Sequence, residues 1–89
     1  MGVVHGGVTA TLADAAVGIA ILQRHGGERP ATTVELKVNY LRPAGKGKLT
    51  ARAHLLRAGS TLAVGRADIT DDDSRLVATA LVTYMYLGR

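Results

Sequence analysis

The sequence predicts an α+β domain in which one helix packs on an antiparallel sheet. Two patterns along the 89 residues support this prediction. Apolar residues follow the spacing of a helix over 8–25, and from Thr32 onward they alternate with polar residues as in strands. Short turn-forming stretches separate the strands, which favours antiparallel pairing. Because the chain is shorter than a typical domain, we expect one domain over residues 1–89.

Glycines frame the predicted helix. Gly6-Gly7 precede it, and Gly26-Gly27 followed by Pro30 end it, since both residue types interrupt helices. Apolar side chains lie nearly all round this helix, so we expect it to be buried on every side. Its content of Gly, Ala and Thr, together with the acid Asp14, argues against a membrane span.

Four segments show the two-residue alternation of strands, at 32–40, 48–55, 63–69 and 76–86. Arg42-Pro43 ends the first, because proline donates no hydrogen bond to a neighbouring strand. The stretches 45–47, 58–60 and 71–74 contain the Gly, Ser and Asp residues that form turns. We therefore predict a meander, in which each strand pairs with the next one along the chain.

The composition excludes several classes of protein. With 47% apolar and 20% charged residues the chain can fold, and without cysteine it has no disulfides, thiol nucleophile or Cys-ligated metal. We expect no metal and no cofactor. The core is built from small aliphatic side chains with three Tyr as its only aromatics, so we expect a homo-oligomer, because a short chain buries little surface alone.

The net charge of +4 permits an anionic partner. We expect neither nucleic acid, because aromatic residues for base stacking are nearly absent, nor a membrane. Arg42 and Arg57 lie at strand ends, and the stretch Ala58-Gly59-Ser60-Thr61 offers N–H and hydroxyl groups for a phosphate; ordinary solvated surface is the alternative. The chain shows no charged segment followed by an apolar stretch and a cleavage site, so we expect a cytoplasmic location.

Asp14 is the residue that least fits its surroundings. It lies about two turns inside the apolar helix, and its helical neighbours Ala10, Thr11, Val17 and Gly18 include no cation. We expect a carboxylate in such a setting to have a raised pKa and a functional role. The alternatives are that Asp14 faces solvent or pairs with an arginine from elsewhere in the chain.

His5-Gly6-Gly7 is the second candidate. Two glycines allow close approach of a ligand, and the N–H groups at a helix start suit a carbonyl oxygen that gains negative charge. A plain glycine turn with a surface histidine is the alternative. We interpret 71–73 as a hairpin turn, His25 and His54 as surface residues, and Tyr84 and Tyr86 as packing residues.

Two segments together resemble the hotdog-fold acyl-CoA thioesterases, and most closely their PaaI-type branch. These are HGGVTATLAD at 5–14 and TVELKVNYLRPA at 33–44. The resemblance implies a central helix wrapped by an antiparallel sheet, and a homodimer or homotetramer with active sites between subunits. It also implies that an aromatic or medium-chain acyl-CoA is hydrolysed to the free acid and CoA, without metal or cofactor.

The resemblance also implies roles for individual residues. Asp14 matches the family carboxylate that activates water or attacks the thioester. Gly6 matches the glycine whose N–H polarises the thioester carbonyl from the facing subunit, with His5 beside it, and Thr33 matches a residue that helps to hold the water. The residues matching the CoA-binding surface are Gly7, Tyr40, Leu41, Arg42, Pro43, Ala44, Gly45, Arg57, Ala58, Gly59, Ser60, Thr61 and Leu62.

Members of this family carry a further helix and strand before the HGG segment, with an Asn or Gln that orients the substrate. This chain begins after that point, so we expect an N-terminally short hotdog domain. A second hypothesis follows, in which the chain is a non-catalytic hotdog module that binds CoA or a protein partner. A hotdog dehydratase is disfavoured, because no hydratase motif is present.

Overall fold

The computed structural model describes residues 5–45 and 47–88, so Lys46 of the first predicted turn lies outside it. The predicted α+β architecture, one helix on a four-stranded antiparallel sheet, is confirmed. The elements in chain order are α1 (Gly6–Arg24), β1 (Ala31–Tyr40), β2 (Thr50–Ala58), β3 (Leu62–Thr70) and β4 (Leu76–Tyr86). The helix begins two residues before the expected position, because His5 caps its start.

The predicted meander is wrong for the first strand. The order across the sheet is β1-β4-β3-β2, so only β2, β3 and β4 form a meander, and β1 pairs with β4. The connection over 41–49 is longer than the two to five residues of a hairpin loop, which lets β2 start at the opposite edge of the sheet. The backbone N–H groups of Leu41 and Arg42 donate to the carbonyl oxygen of Val77, so this connection starts against β4.

One side of α1 packs on the sheet. Thr9, Ala13, Val17 and Ile21, each four residues from the next, are its buried residues. The expectation of burial on every side is wrong for the single chain, because the sheet covers only this stripe; Val8 and Ile19 are each 56% exposed.

By length and composition alone, α1 is long and apolar enough to span a membrane. The expectation that its Gly, Ala and Thr content would exclude a membrane span is therefore wrong on these two criteria. Its buried stripe nevertheless forms one core with the sheet. Residues on the inner faces of β3 and β4 make up most of that core, which is how the core helix of a folded domain packs.

Small residues bring the helix close to β3. The inner face of that strand carries Ala63, Gly65, Ala67 and Ile69, as the alternation predicted, and all four are buried. A methyl group added at Gly65 would lie 2.7 Å from Cγ1 of Val17, well inside van der Waals contact. The missing side chain at Gly65 therefore sets the distance between α1 and the sheet.

The end of α1 is fixed by an aromatic cluster. Nε2 of His25 lies 2.7 Å from the hydroxyl oxygen of Tyr86, and the two rings meet edge to face. The guanidinium group of Arg29 lies 3.8 Å from the centre of the Tyr86 ring. His25 is thus half-buried, and its interpretation as a surface residue was wrong, because the pairing depends on β4, which is distant in sequence.

The turn at 71–74 is confirmed as a structural turn. Oδ1 of Asp71 accepts hydrogen bonds from the N–H groups of Asp73 and Arg75, and Oδ2 accepts one from the Arg75 guanidinium. The hydrogen bond from the Arg75 backbone is the main reason why the pKa of Asp71 lies below its usual value. Among residues 5–45 and 47–88, no cluster of His, Asp or Glu is suited to hold a metal ion.

We predict that Gly65→Ala lowers the free energy of unfolding by about 1–3 kcal/mol, because the new methyl group meets the Val17 side chain. Val17→Ala, which leaves a cavity, is expected to cost about 2 kcal/mol. In the double variant the shortened residue 17 leaves room for the methyl group, so the combined loss should be smaller than the sum. Urea unfolding of the four proteins measures this; simple additivity would contradict the proposed contact.

Candidate active site

Asp14 is held by two hydroxyl groups of the sheet. Oγ1 of Thr33 donates to Oδ1 of Asp14 at 2.7 Å, and the hydroxyl of Tyr84 donates to the same oxygen at 2.8 Å. The carboxylate is partly buried, and within the described residues it pairs with no arginine. In the same part of the chain no hydrogen bond reaches Oδ2. Oδ1 of Asp14 therefore lies within hydrogen-bond distance of two donors, whereas Oδ2 has none among the described residues.

A β-bulge explains how Thr33 reaches Asp14. Thr33 pairs with Tyr84, but the register shifts between Thr33 and Glu35, so Val34 is an extra residue in β1. Beyond the bulge, Leu36 pairs with the buried Val82. Simple alternation would put Thr33 and Leu36 on opposite faces. The bulge brings both to the side that faces the helix.

Tyr84 is a hydrogen-bond donor at this site. Its hydroxyl lies 2.8 Å from the backbone oxygen of Asp14 as well as 2.8 Å from Oδ1. Burial of the hydroxyl raises the pKa of Tyr84, the Asp14 carboxylate raises it further, and the Thr33 hydroxyl offsets part of this increase. The phenol therefore stays protonated at neutral pH and can donate to the carboxylate.

The sequence predicts only a packing role for Tyr84 and carries no local signal for its hydrogen bond to Asp14. Its place on the inner face of β4 was evident from the alternation with Val82 and Tyr86. What the sequence did not reveal is that β4 pairs with β1, because the meander prediction placed β1 beside β2. That pairing sets Tyr84 opposite Thr33, the residue whose role the resemblance had implied.

The start of α1 is built around His5 and Gly6. Nδ1 of His5 accepts a hydrogen bond of 2.9 Å from the N–H of Gly7, so His5 acts as the helix cap. The Tyr40 hydroxyl donates to the carbonyl oxygen of Gly6 at 2.7 Å and fixes the first turn against β1. As the first residue of the helix, Gly6 has an N–H without an intrahelical acceptor. This N–H is the candidate donor to a carbonyl oxygen.

A cleft of about 430 Å³ opens beside this helix start. Most of its wall is apolar, and Arg42 is the one cationic residue among the described residues that line it. The structure thus brings Gly6 together with the predicted CoA-binding segment that follows β1, and Gly45 continues that segment as an exposed residue. The lining residues are Gly6, Thr9, Tyr40, Leu41, Arg42, Pro43, Ala44 and Val77.

The second predicted CoA-binding segment, 57–62, lies at the opposite end of the helix. The Arg29 guanidinium donates to the carbonyl oxygen of Ser60, and the N–H of Tyr86 donates to the carbonyl oxygen of Thr61. The N–H of Gly59 donates to the carbonyl oxygen of Leu62. This amide is therefore not free to bind a phosphate, contrary to the expectation from the sequence. Within one chain, this turn and the cleft at Gly6 do not form a common site.

Comparison with known proteins gives a consistent family. A family model described as the thioesterase superfamily matches residues 1–78. The medium/long-chain acyl-CoA thioesterase YigI of Salmonella typhimurium is 36% identical, over 93% of this chain and 62% of that protein. Acyl-coenzyme A thioesterase 13 of Mus musculus is 36% identical over 80% of this chain. The chain thus spans 62% and 51% of the length of these two relatives.

Solved structures agree with the sequence comparisons. A thioesterase from Haemophilus influenzae superposes with a TM-score of 0.92 and 28% identity, over 99% of this chain and 62% of that chain. A Bacillus halodurans protein solved with CoA gives 0.88 and 32% identity, over 96% and 56%. The resemblance to hotdog-fold thioesterases is therefore confirmed.

We predict that Thr33→Val lowers the free energy of unfolding by about 1–2 kcal/mol, because it removes one of two donors from Oδ1 of Asp14 while keeping the shape of the side chain. Thr33→Ser keeps the hydroxyl and should retain most of the stability. Thr32→Val, on the exposed face of the same strand, is the matched control and should change the free energy of unfolding by less than about 0.5 kcal/mol. Equal losses for the two Val variants would show that the hydrogen bond stabilises nothing.

Proposed function

This chain belongs to the thioesterase superfamily, and we propose that it hydrolyses acyl-CoA thioesters to the free acid and CoA. The observation that carries this proposal is the pattern of hydrogen bonds at the Asp14 carboxylate. Two hydroxyl groups donate to Oδ1, and none of the described residues donates to Oδ2, which can therefore act on water or the thioester. Acyl-CoA thioesterase activity, as the relatives' names state it for those proteins, supports the proposal.

The proposed reaction uses Asp14 and the Gly6 N–H. As a general base, Asp14 takes a proton from water, and the water oxygen attacks the thioester carbonyl carbon. Negative charge on the carbonyl oxygen is stabilised by a Gly6 N–H, whose effect is enhanced by the partial positive charge at the helix start. The C–S bond then breaks, and the CoA thiolate leaves and receives the proton from Asp14. Direct attack by Oδ2 on the carbonyl carbon is the alternative role for the same oxygen.

We propose that two copies of the chain form each site. Gly6 and Asp14 lie eight residues apart on one helix, which is about 12 Å along its axis. The Gly6 N–H points away from the helix, toward its amino-terminal side, so a carbonyl bound there lies still farther from Asp14. Each group must come within about 3 Å of the reacting carbonyl. Asp14 of one copy would therefore act with Gly6 of a second copy.

The fold favours an antiparallel arrangement of the two copies. The carboxylate of Asp14 faces β1, which is an edge strand with unpaired backbone groups. A two-fold axis beside β1 would bring the helix start of one copy toward the helix end of the other. The cleft at Gly6 would then approach the turn at 57–62, and the two segments implied to bind CoA would meet. The exposed apolar side chains on the outside of α1 also support association.

The proposed substrate is a medium-chain or aromatic acyl-CoA. The apolar wall of the cleft suits an acyl group, and the guanidinium group of Arg42, one of its exposed lining residues, suits a phosphate of CoA. Binding of the polyanionic CoA moiety also fits the net charge of +4. The CoA in the similar structure from Bacillus halodurans supports the choice of CoA over other thioesters.

We predict that Asp14→Asn lowers kcat for octanoyl-CoA by at least about 100-fold, because the amide cannot accept a proton. Asp68→Asn is the matched control: Asp68 accepts a hydrogen bond from Thr79, the register places it on the sheet face away from α1, and its variant should stay within about twofold of wild type. Thermal melting of each variant checks that it is folded.

Two outcomes would contradict the proposed function. Equal turnover by wild type and Asp14→Asn would remove Asp14 from the reaction. Calorimetric binding of CoA by a wild-type protein that hydrolyses neither octanoyl-CoA nor phenylacetyl-CoA would favour the non-catalytic binding module instead.

A further inference from the structure

The contacts of Tyr84, the tyrosine beside Asp14, are not explained by packing alone. The Tyr84 hydroxyl contacts both the backbone oxygen and Oδ1 of Asp14, although its single proton can serve only one acceptor at a time. A half-buried tyrosine on this face needs at most one partner for its hydroxyl. This one lies 2.8 Å from each of two acceptors, and one of them is the carboxylate itself.

The helix is shaped to admit this hydroxyl. A methyl group added at Gly18 would lie 2.5 Å from the Tyr84 hydroxyl oxygen and 3.1 Å from the ring carbon that bears it. Gly18 lies four residues after Asp14, on the same side of the helix. Glycine is unfavourable inside a helix by about 1 kcal/mol relative to alanine, so this position gives up stability where the hydroxyl enters.

We propose that Tyr84 is a positioning residue that determines which oxygen of Asp14 reacts. Together with Thr33 it saturates Oδ1, so that Oδ2 alone is directed to the water or the thioester carbonyl. The inference rests on the proposed function, because it assigns Tyr84 a part in the same reaction. Tyr84 itself touches neither substrate nor water in this account and acts through Asp14.

The same two contacts restrict the carboxylate in a second way. A carboxylate held by one donor can rotate and exchange its two oxygens, whereas two donors from adjacent strands fix the plane of the group. Loss of one donor should therefore lower the fraction of time in which Oδ2 is correctly directed. This affects the rate of the chemical step and leaves substrate binding unchanged.

Steady-state kinetics with octanoyl-CoA tests the proposal. Tyr84→Phe removes only the hydroxyl and is expected to lower kcat about tenfold, the effect of one lost hydrogen bond to a charged group, while KM changes less than twofold. Tyr86→Phe is the matched control, because it removes a hydroxyl from the same face of β4 that bonds to His25 instead. Its kcat should stay within about twofold of wild type.

A double-variant cycle separates positioning from structural support. If Tyr84 acts through the carboxylate, adding Tyr84→Phe to Asp14→Asn should change the residual rate less than about twofold. Gly18→Ala offers an independent variant with the tyrosine intact. It should lower kcat by displacing the hydroxyl, and a cooperative melting transition above the assay temperature checks that the variant is folded.

The results distinguish failure of this inference from failure of the proposed function. A wild-type enzyme that turns over, with Tyr84→Phe equally fast, would overturn the positioning role alone. The same tenfold loss in the Asp14→Asn background would also overturn it, because the effect would then not pass through Asp14. A wild-type protein without turnover would overturn the proposed function, and the positioning role with it.

Discussion

The hydrogen bonds that join Asp14 to Thr33 and Tyr84 connect the one helix to the two strands that complete the site. Several otherwise costly features make them possible. The bulge at Val34 turns Thr33 toward the helix, the β1–β4 pairing places Tyr84 opposite it, and Gly18 leaves space for the phenol. An acid inside an apolar helix thereby has hydrogen-bond donors at one oxygen, while the other accepts no hydrogen bond from the described residues.

The sequence predicted the element types well and the pairing of β2, β3 and β4 correctly, but it misplaced β1. Periodicity identified the helix and all four strands, since spacing of apolar residues is a local property. It did not predict that β1 pairs with β4, because pairing depends on where the connection over 41–49 crosses the sheet. Asp14 and Gly6 stood out as local anomalies. The partnerships of Tyr84 with Asp14 and of His25 with Tyr86 join α1 and its end to β4, which is distant in sequence, and they had no local signal.

One rigid helix carries both groups that the proposed reaction needs, and this explains why the isolated chain shows only parts of a site. The carboxylate faces edge strand β1, the amide lies at the end of α1, and the two segments implied to bind CoA lie at opposite ends of the molecule. Each part is well formed, with its side chains held by specific hydrogen bonds. In the proposed assembly, association of two chains would join preformed parts without rearranging either of them.

Mixed-subunit complementation tests this shared-site account most directly. Gly6→Pro removes the amide hydrogen, at a first helical position where proline is favoured and after a residue already extended, with φ −62° and ψ 138° at His5. Its ring also adds a Cβ that would lie 3.3 Å from the Tyr40 side chain, so Gly6→Ala, which adds that carbon and keeps the N–H, is the control and should retain activity. Asp14→Asn and Gly6→Pro should each be inactive alone. Denatured together and refolded as an equal mixture, they should regain about a quarter of wild-type activity, because half of the dimers carry one intact site. No recovery from an assembly shown to contain both variants would contradict the account.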